Sequence, residues 1–95
     1  MIVVTGAAGK TGRAMVAALT GREQVVRALV HRPEQEDSVR SLGAQEVVSG
    51  DMRDAAILDR AMQGARAAYH ICPNVHPEEV AIGQAAIAAA QRAGI

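Results

Sequence analysis

Directly after the first β-branched apolar run, the chain places Thr5-Gly6-Ala7-Ala8-Gly9-Lys10-Thr11-Gly12, with glycines at a GxxGxxG spacing and a helical period beginning at Lys10. A strand that turns through glycines straight into a helix needs the first glycine for the tight turn. It needs the second so that backbone can approach a ligand without a Cβ in the way, and the third for close packing of helix on strand. The free N–H groups of the helix start then face an anion, here the diphosphate of a dinucleotide, where the dipole contributes about 0.3–1 kcal/mol at an exposed site. Gly9-Lys10-Thr11 also looks like the end of a P-loop, but that loop needs a glycine five positions before Gly9, where Val4 stands inside the strand.

The rest of the chain alternates short apolar runs with helical periods, which predicts an α/β fold with a Rossmann-type parallel sheet of about four strands. The expected strands are Ile2 to Thr5, Val25 to Val30, Glu46 to Ser49 and Ala67 to Cys72, the last ended by Pro73. The expected helices are Lys10 to Leu19 with Gly21 as C-cap, Glu34 to Leu42 ending at Gly43, Arg53 to Met62 ending at Gly64, and a helix opened by Pro77 and Glu78 that runs to about Ala93 and stops at Gly94. Ile95 stands where a further strand of such a fold would begin. One dinucleotide-binding domain over residues 1–95, incomplete at its C-terminus, is therefore expected, with an open strand edge that makes the isolated chain marginally stable or self-associating. The small residues from Val80 to Ala93 suit a dimer face, but packing on the sheet explains them more simply.

Composition narrows the function classes. The chain of 95 residues is 49% hydrophobic and 21% charged with formal net charge +0, so it lacks the basic surface that nucleic-acid binding uses. No segment is apolar for the roughly 20 residues of a membrane span, and no secretory signal opens the chain. Cys72 is the sole cysteine, which leaves no intramolecular disulfide and suits a reducing compartment, the cytoplasm. His70, Cys72 and His76 match no usual zinc spacing, and Cys72 has no identifiable base to make it a nucleophile.

At the end of the second strand a dinucleotide fold carries Asp or Glu when it binds the ribose 2′-hydroxyl; here His31 and Arg32 stand instead. An acid would repel a 2′-phosphate, whereas Arg can grip it with paired N–H donors. NADP(H) is thus the expected cofactor, with NAD(H) as the alternative; Arg32 as a solvated loop charge before Pro33 is the competing explanation.

Three segments together, Thr5 to Arg13, Arg27-Ala28-Leu29-Val30-His31-Arg32-Pro33 and Gly50-Asp51-Met52-Arg53-Asp54, make the chain similar to the NmrA-like group of atypical short-chain dehydrogenases/reductases. The resemblance covers the whole chain. It implies NAD(P)(H) binding with Gly6, Ala7, Ala8, Gly9, Lys10, Thr11 and Gly12 around the diphosphate and His31 and Arg32 at the adenosine ribose. It implies Asp51 and Met52 by the adenine, Asp51 accepting from the amino group, although an N-cap before Asp54 would equally account for Asp51. Ile71, Cys72 and Pro73 would lead toward the nicotinamide ribose.

Such proteins include oxidoreductases acting on quinone-like or other small carbonyl and enone compounds, and non-catalytic redox sensors. The typical Tyr-x-x-x-Lys pair of the wider superfamily is missing, since Tyr69 is followed four residues later by Pro73 and Lys10 is the only lysine. The family's substrate-binding region is expected outside this chain, so the small-molecule substrate belongs to a longer parent and no turnover is expected from these 95 residues alone.

Overall fold

The computed structural model describes residues 1–71 and 78–95. Ile2-Val3-Val4 is β-branched throughout and buried on both faces, the demand of a central parallel strand, and it forms β1 (Ile2–Val4). It is followed by α1 (Lys10–Gly21), β2 (Val26–Val30), a 3₁₀ turn over Pro33–Gln35 continuing into α2 (Glu36–Arg40), β3 (Glu46–Ser49), α3 (Ala55–Met62), β4 (Ala67–Tyr69) and α4 (Glu79–Arg92). The four strands lie in the order β3-β2-β1-β4, all parallel. The Rossmann-type sheet is thereby established.

Strand alternation sorts the core into two layers, one on each side of the sheet. Val4, Ala28 and Val30 pack with Val16 of α1 and Val39 of α2, while Val3, Leu29 and Val48 pack with Leu58, Ala61 and Met62 of α3 and Ala89 of α4. Leu29, Leu58 and Met62 are at most 1% exposed, and burying each such side chain contributes about 1.5–3 kcal/mol. The small residues of α4 serve this layer, with Ile82, Ala86 and Ala89 turned inward and Val80 and Ile87 outward.

Several boundaries differ from those the sequence predicts. Helix α1 runs through Gly21, and the left-handed residue that reverses the chain is Glu23, at φ 63°, not the expected glycine. The predicted helix over Glu34 to Leu42 is split, because Pro33 favours a tight 3₁₀ start and only Glu36–Arg40 is α-helical. Helix α3 begins at Ala55, two residues later than expected. Its N-cap is Asp54, whose carboxylate accepts from the Ala56 N–H at 2.9 Å, so Asp51 does not cap it. Strand β4 ends at Tyr69; Cys72, Pro73 and the expected helix start at Pro77 lie outside the described residues.

A partly buried cation fastens α3 to the sheet. Arg27 of β2, its side chain 12% exposed, donates from Nη1 to the carbonyls of Ala61 at 2.7 Å and Gln63 at 2.6 Å, and from Nε to Glu46 at 2.7 Å. These carbonyls end α3, where a helix otherwise leaves its acceptors unpaired and carries partial negative charge.

Candidate cofactor-binding site

The sheet order reverses between β1 and β4, and in open α/β sheets ligands bind in the crevice beyond the strand ends at such a switch point. The glycine turn crosses there. Gly6 has φ +58°, and a Cβ added to it would lie 2.4 Å from the Ile71 carbonyl oxygen. Gly12 is closed off as tightly, since its Cβ would fall 2.2 Å from the Gly6 oxygen and 2.6 Å from the Ala7 Cα. Both contacts are with backbone, which cannot move aside.

Gly9 is different. A Cβ there would meet only the Gly6 oxygen at an ordinary 3.6 Å, so no protein contact requires glycine at this position. It is the N-cap of α1 and supplies no side-chain cap, and among the described residues no acceptor receives the N–H groups of Lys10, Thr11 and Gly12. A bare backbone corner and three free donors beside a cleft are what a diphosphate needs.

Thr5, fully buried, ties the ends of β1 and β4 together. Its hydroxyl accepts from the Ile71 N–H at 2.8 Å and lies 3.0 Å from Nδ1 of His70. Desolvation holds His70 below its ordinary value, favouring the neutral ring.

A cleft of about 460 Å³ runs from this turn across the ends of β1, β2 and β3. Of the residues expected at the cofactor, Gly6, Ala8, Gly9, Lys10, Thr11, Gly12, His31, Asp51, Met52 and Ile71 line it together. Ala7 is fully buried beneath the loop, its N–H given to the Leu29 carbonyl at 3.1 Å. Arg32 is exposed and stands outside the lining, while Cys72 and Pro73 lie outside the described residues.

Six lining residues lie outside the expected set, Val30 and Gly50 among them at the ends of β2 and β3. Leu29 lines the cleft from the end of β2. Gln35 does so as well, and its Oε1 accepts the N–H groups of His31 at 3.1 Å and Arg32 at 3.0 Å, pinning the turn after β2. Ile82 reaches the same cleft from α4, which only the tertiary fold can reveal. Arg53 stands within the Gly50 to Asp54 segment and so was near a visible signal.

Arg53 dominates the rim at the end of β3. Its backbone N–H donates to Asp51 Oδ1 at 2.8 Å, its Nε reaches Oδ1 at 3.0 Å and Oδ2 at 3.1 Å, and its Nη2 reaches Oδ2 at 2.6 Å. Nη1 extends to Glu78, just before α4, at 3.3 Å. The Arg53 guanidinium, then its backbone N–H, hold the Asp51 carboxyl well below the usual carboxylate range, and the same pairing raises Arg53.

Sheet, glycine turn and switch-point cleft define a Rossmann-type unit. Within that class the chain belongs to the NmrA-like family, which it matches over residues 1–95. It is 40% identical over 93 residues to a (4-alkanoyl-5-oxo-2,5-dihydrofuran-3-yl)methyl phosphate reductase of Streptomyces griseus, covering 97% of this chain and 32% of that protein. It superposes on an NADPH-dependent quinone oxidoreductase of Escherichia coli complexed with NADPH, with TM-score 0.82 and 26% identity over all of this chain and 34% of the other. A short-chain dehydrogenase/reductase superfamily protein of Agrobacterium tumefaciens with bound NAD gives TM-score 0.78 and 32% identity, over all of this chain and 30% of the other. The chain thus spans about a third of the length of these relatives. Among the described residues no helix is long and apolar enough to cross a membrane.

Proposed function

We propose that this chain is the cofactor-binding unit of an NmrA-like oxidoreductase and takes NADP(H) in preference to NAD(H). The observation that carries the preference is the charge of the cleft. Among the described residues, Asp51 supplies its only carboxylate, and Arg53 already neutralises it, while His31 faces the cleft at the end of β2. A ribose bearing a 2′-phosphate meets no opposing acid there, and Arg32, next in the chain and without an ion-pair partner among the described residues, is placed to close on it.

In this assignment the loop from Gly6 to Gly12 holds the diphosphate through backbone N–H groups, with Lys10 adding charge. Asp51 accepts from the adenine amino group and Met52 lies against the ring, while Ile71 borders the path toward the nicotinamide. The bound cofactor supplies hydride transfer; this chain's residues bind it, orient it and keep water from its diphosphate. Relatives that reduce a quinone and an oxo-dihydrofuran phosphate support a quinone-like or other small carbonyl or enone compound as the acceptor for the whole protein.

The test is a thermal-shift titration with NADPH and NADH in parallel on the wild type and Arg32→Asp. A ligand that binds only the folded state stabilises it by about 2.7 kcal/mol at 100 times its dissociation constant. The wild type is expected to shift more with NADPH and the variant more with NADH; an unchanged ratio sinks the role of Arg32.

A further inference from the structure

The turn after β2 spends its own backbone donors internally. The N–H groups of His31 and Arg32 go to Gln35 Oε1, at 3.1 and 3.0 Å, so neither is left to meet a ligand. Those two donors also decide which way round the carboxamide stands, because only its oxygen can accept them and an amide nitrogen in that place would set N–H against N–H. With both lone pairs of Oε1 taken, what Gln35 has left to offer is its Nε2 group, two donors that bond to none of the described residues. Gln35 is half-buried and lines the cleft together with His31. The acids of the same segment stand aside: Glu36 accepts from the Ser49 hydroxyl, and Glu34, Glu36 and Asp37 are all outside the lining. Beside the end of β2, where an acid would serve a ribose 2′-hydroxyl, the cleft thus meets a neutral donor.

We propose that Gln35 is a specificity-determining residue of the cofactor site: its Nε2 donates to the 2′-phosphate of the adenosine ribose. The inference rests on the dinucleotide assignment above and adds to it a contact that neither His31 nor Arg32 supplies. A phosphate oxygen carries charge and accepts from such a donor more strongly than a hydroxyl does. The carboxamide therefore shapes the turn through its oxygen and favours the phosphorylated ribose through its nitrogen.

The experiment measures dissociation constants of the 95-residue chain for NADPH and NADH in the wild type and in Gln35→Glu. A carboxylate still accepts the His31 and Arg32 N–H groups, so the turn is kept, but it sets an acceptor and a negative charge where Nε2 stood. The wild type is expected to favour NADPH by about tenfold or more. In Gln35→Glu affinity for NADPH should fall by about tenfold or more, the size of a hydrogen bond to a charged group, while affinity for NADH stays within about twofold or rises. A new carboxylate also attracts Arg32, so the same substitution is made in an Arg32→Gln background, where the loss of NADPH affinity should persist.

Three results overturn the inference: Gln35→Glu keeping the wild-type ratio, losing both dinucleotides equally as a purely structural role would give, or shifting the ratio only when Arg32 is present. A wild type that binds both dinucleotides equally overturns the NADP(H) preference and this inference with it. A wild type that binds neither overturns the dinucleotide assignment itself.

Discussion

The two ends of the cleft are built by different means. At the glycine turn the shape is set by backbone against backbone, with Gly6 closed by the Ile71 carbonyl and Gly12 by the Gly6 oxygen. At the rim beyond β2 and β3 it is set by side chains, the half-buried Gln35 on the turn after β2 and the exposed Arg53 between Asp51 and Glu78. The first end tolerates no added Cβ at Gly6 or Gly12. The second is made of contacts that solvent weakens, each worth little on its own and each exchangeable. In the proposed assignment the rigid end would hold the dinucleotide and the soft one would adjust which dinucleotide is preferred.

The contrast can be broken most severely at the rigid end. Gly12→Ala places a methyl group 2.2 Å from a backbone oxygen, and helix and turn cannot separate without opening the β1–α1 junction. A loss of about 3 kcal/mol or more is expected in urea denaturation. A variant as stable as the wild type would show the junction to be pliable.

Arg27→Met sharpens the contrast from the other side, since it removes a charged group whose side chain is 12% exposed against 54% for Arg53 of the rim. The carbonyls of Ala61 and Gln63 then lose their donor, and about 2 kcal/mol should be lost. If the cost is only the few tenths typical of an exposed pair, burial is not what separates the two kinds of contact.

Gly9→Ala divides folding from binding. The added methyl meets nothing closer than 3.6 Å, so stability should change by less than about 1 kcal/mol, the loss coming from the poorer N-cap. Dinucleotide affinity should fall about tenfold or more, because the methyl takes space left for the diphosphate. Retained affinity would mean that the ligand does not approach this corner.

The smallest effect concerns His70, at the joint of β1 and β4. Its folded value is depressed by desolvation, so the stability that it contributes is present above its ordinary value of 6.5 and is lost as pH falls below it. The melting temperature should therefore decline between about pH 7 and 5.5 in the wild type and decline less in His70→Asn. Equal declines would assign the acid sensitivity to other groups.

Much of the fold was legible because it is periodic. Ile2-Val3-Val4 and the apolar spacing of α1 and α3 obey local rules, and the four strands and their helices follow the predicted order. The boundaries that slipped are those where local signals compete: Pro33 tightened the start of α2, Asp54 outbid Arg53 as the start of α3, and Glu23 took the turn expected at Gly21. In the site, ten of the residues expected from the sequence do meet in one cleft.

By itself the sequence determined the strand–glycine–helix unit, because three glycines in that spacing after a buried strand admit few other backbone paths. It also determined that a base or arginine, not an acid, ends β2. Only the tertiary structure decided which side chains face the cleft. Ile82 is 31 residues from Asp51 in the chain, and Arg53 spans from Asp51 to Glu78 because β3 and the start of α4 are brought to one rim. Long-range juxtaposition of this kind leaves no periodic trace, since it depends on how helices settle on the sheet and not on the order of neighbouring residues.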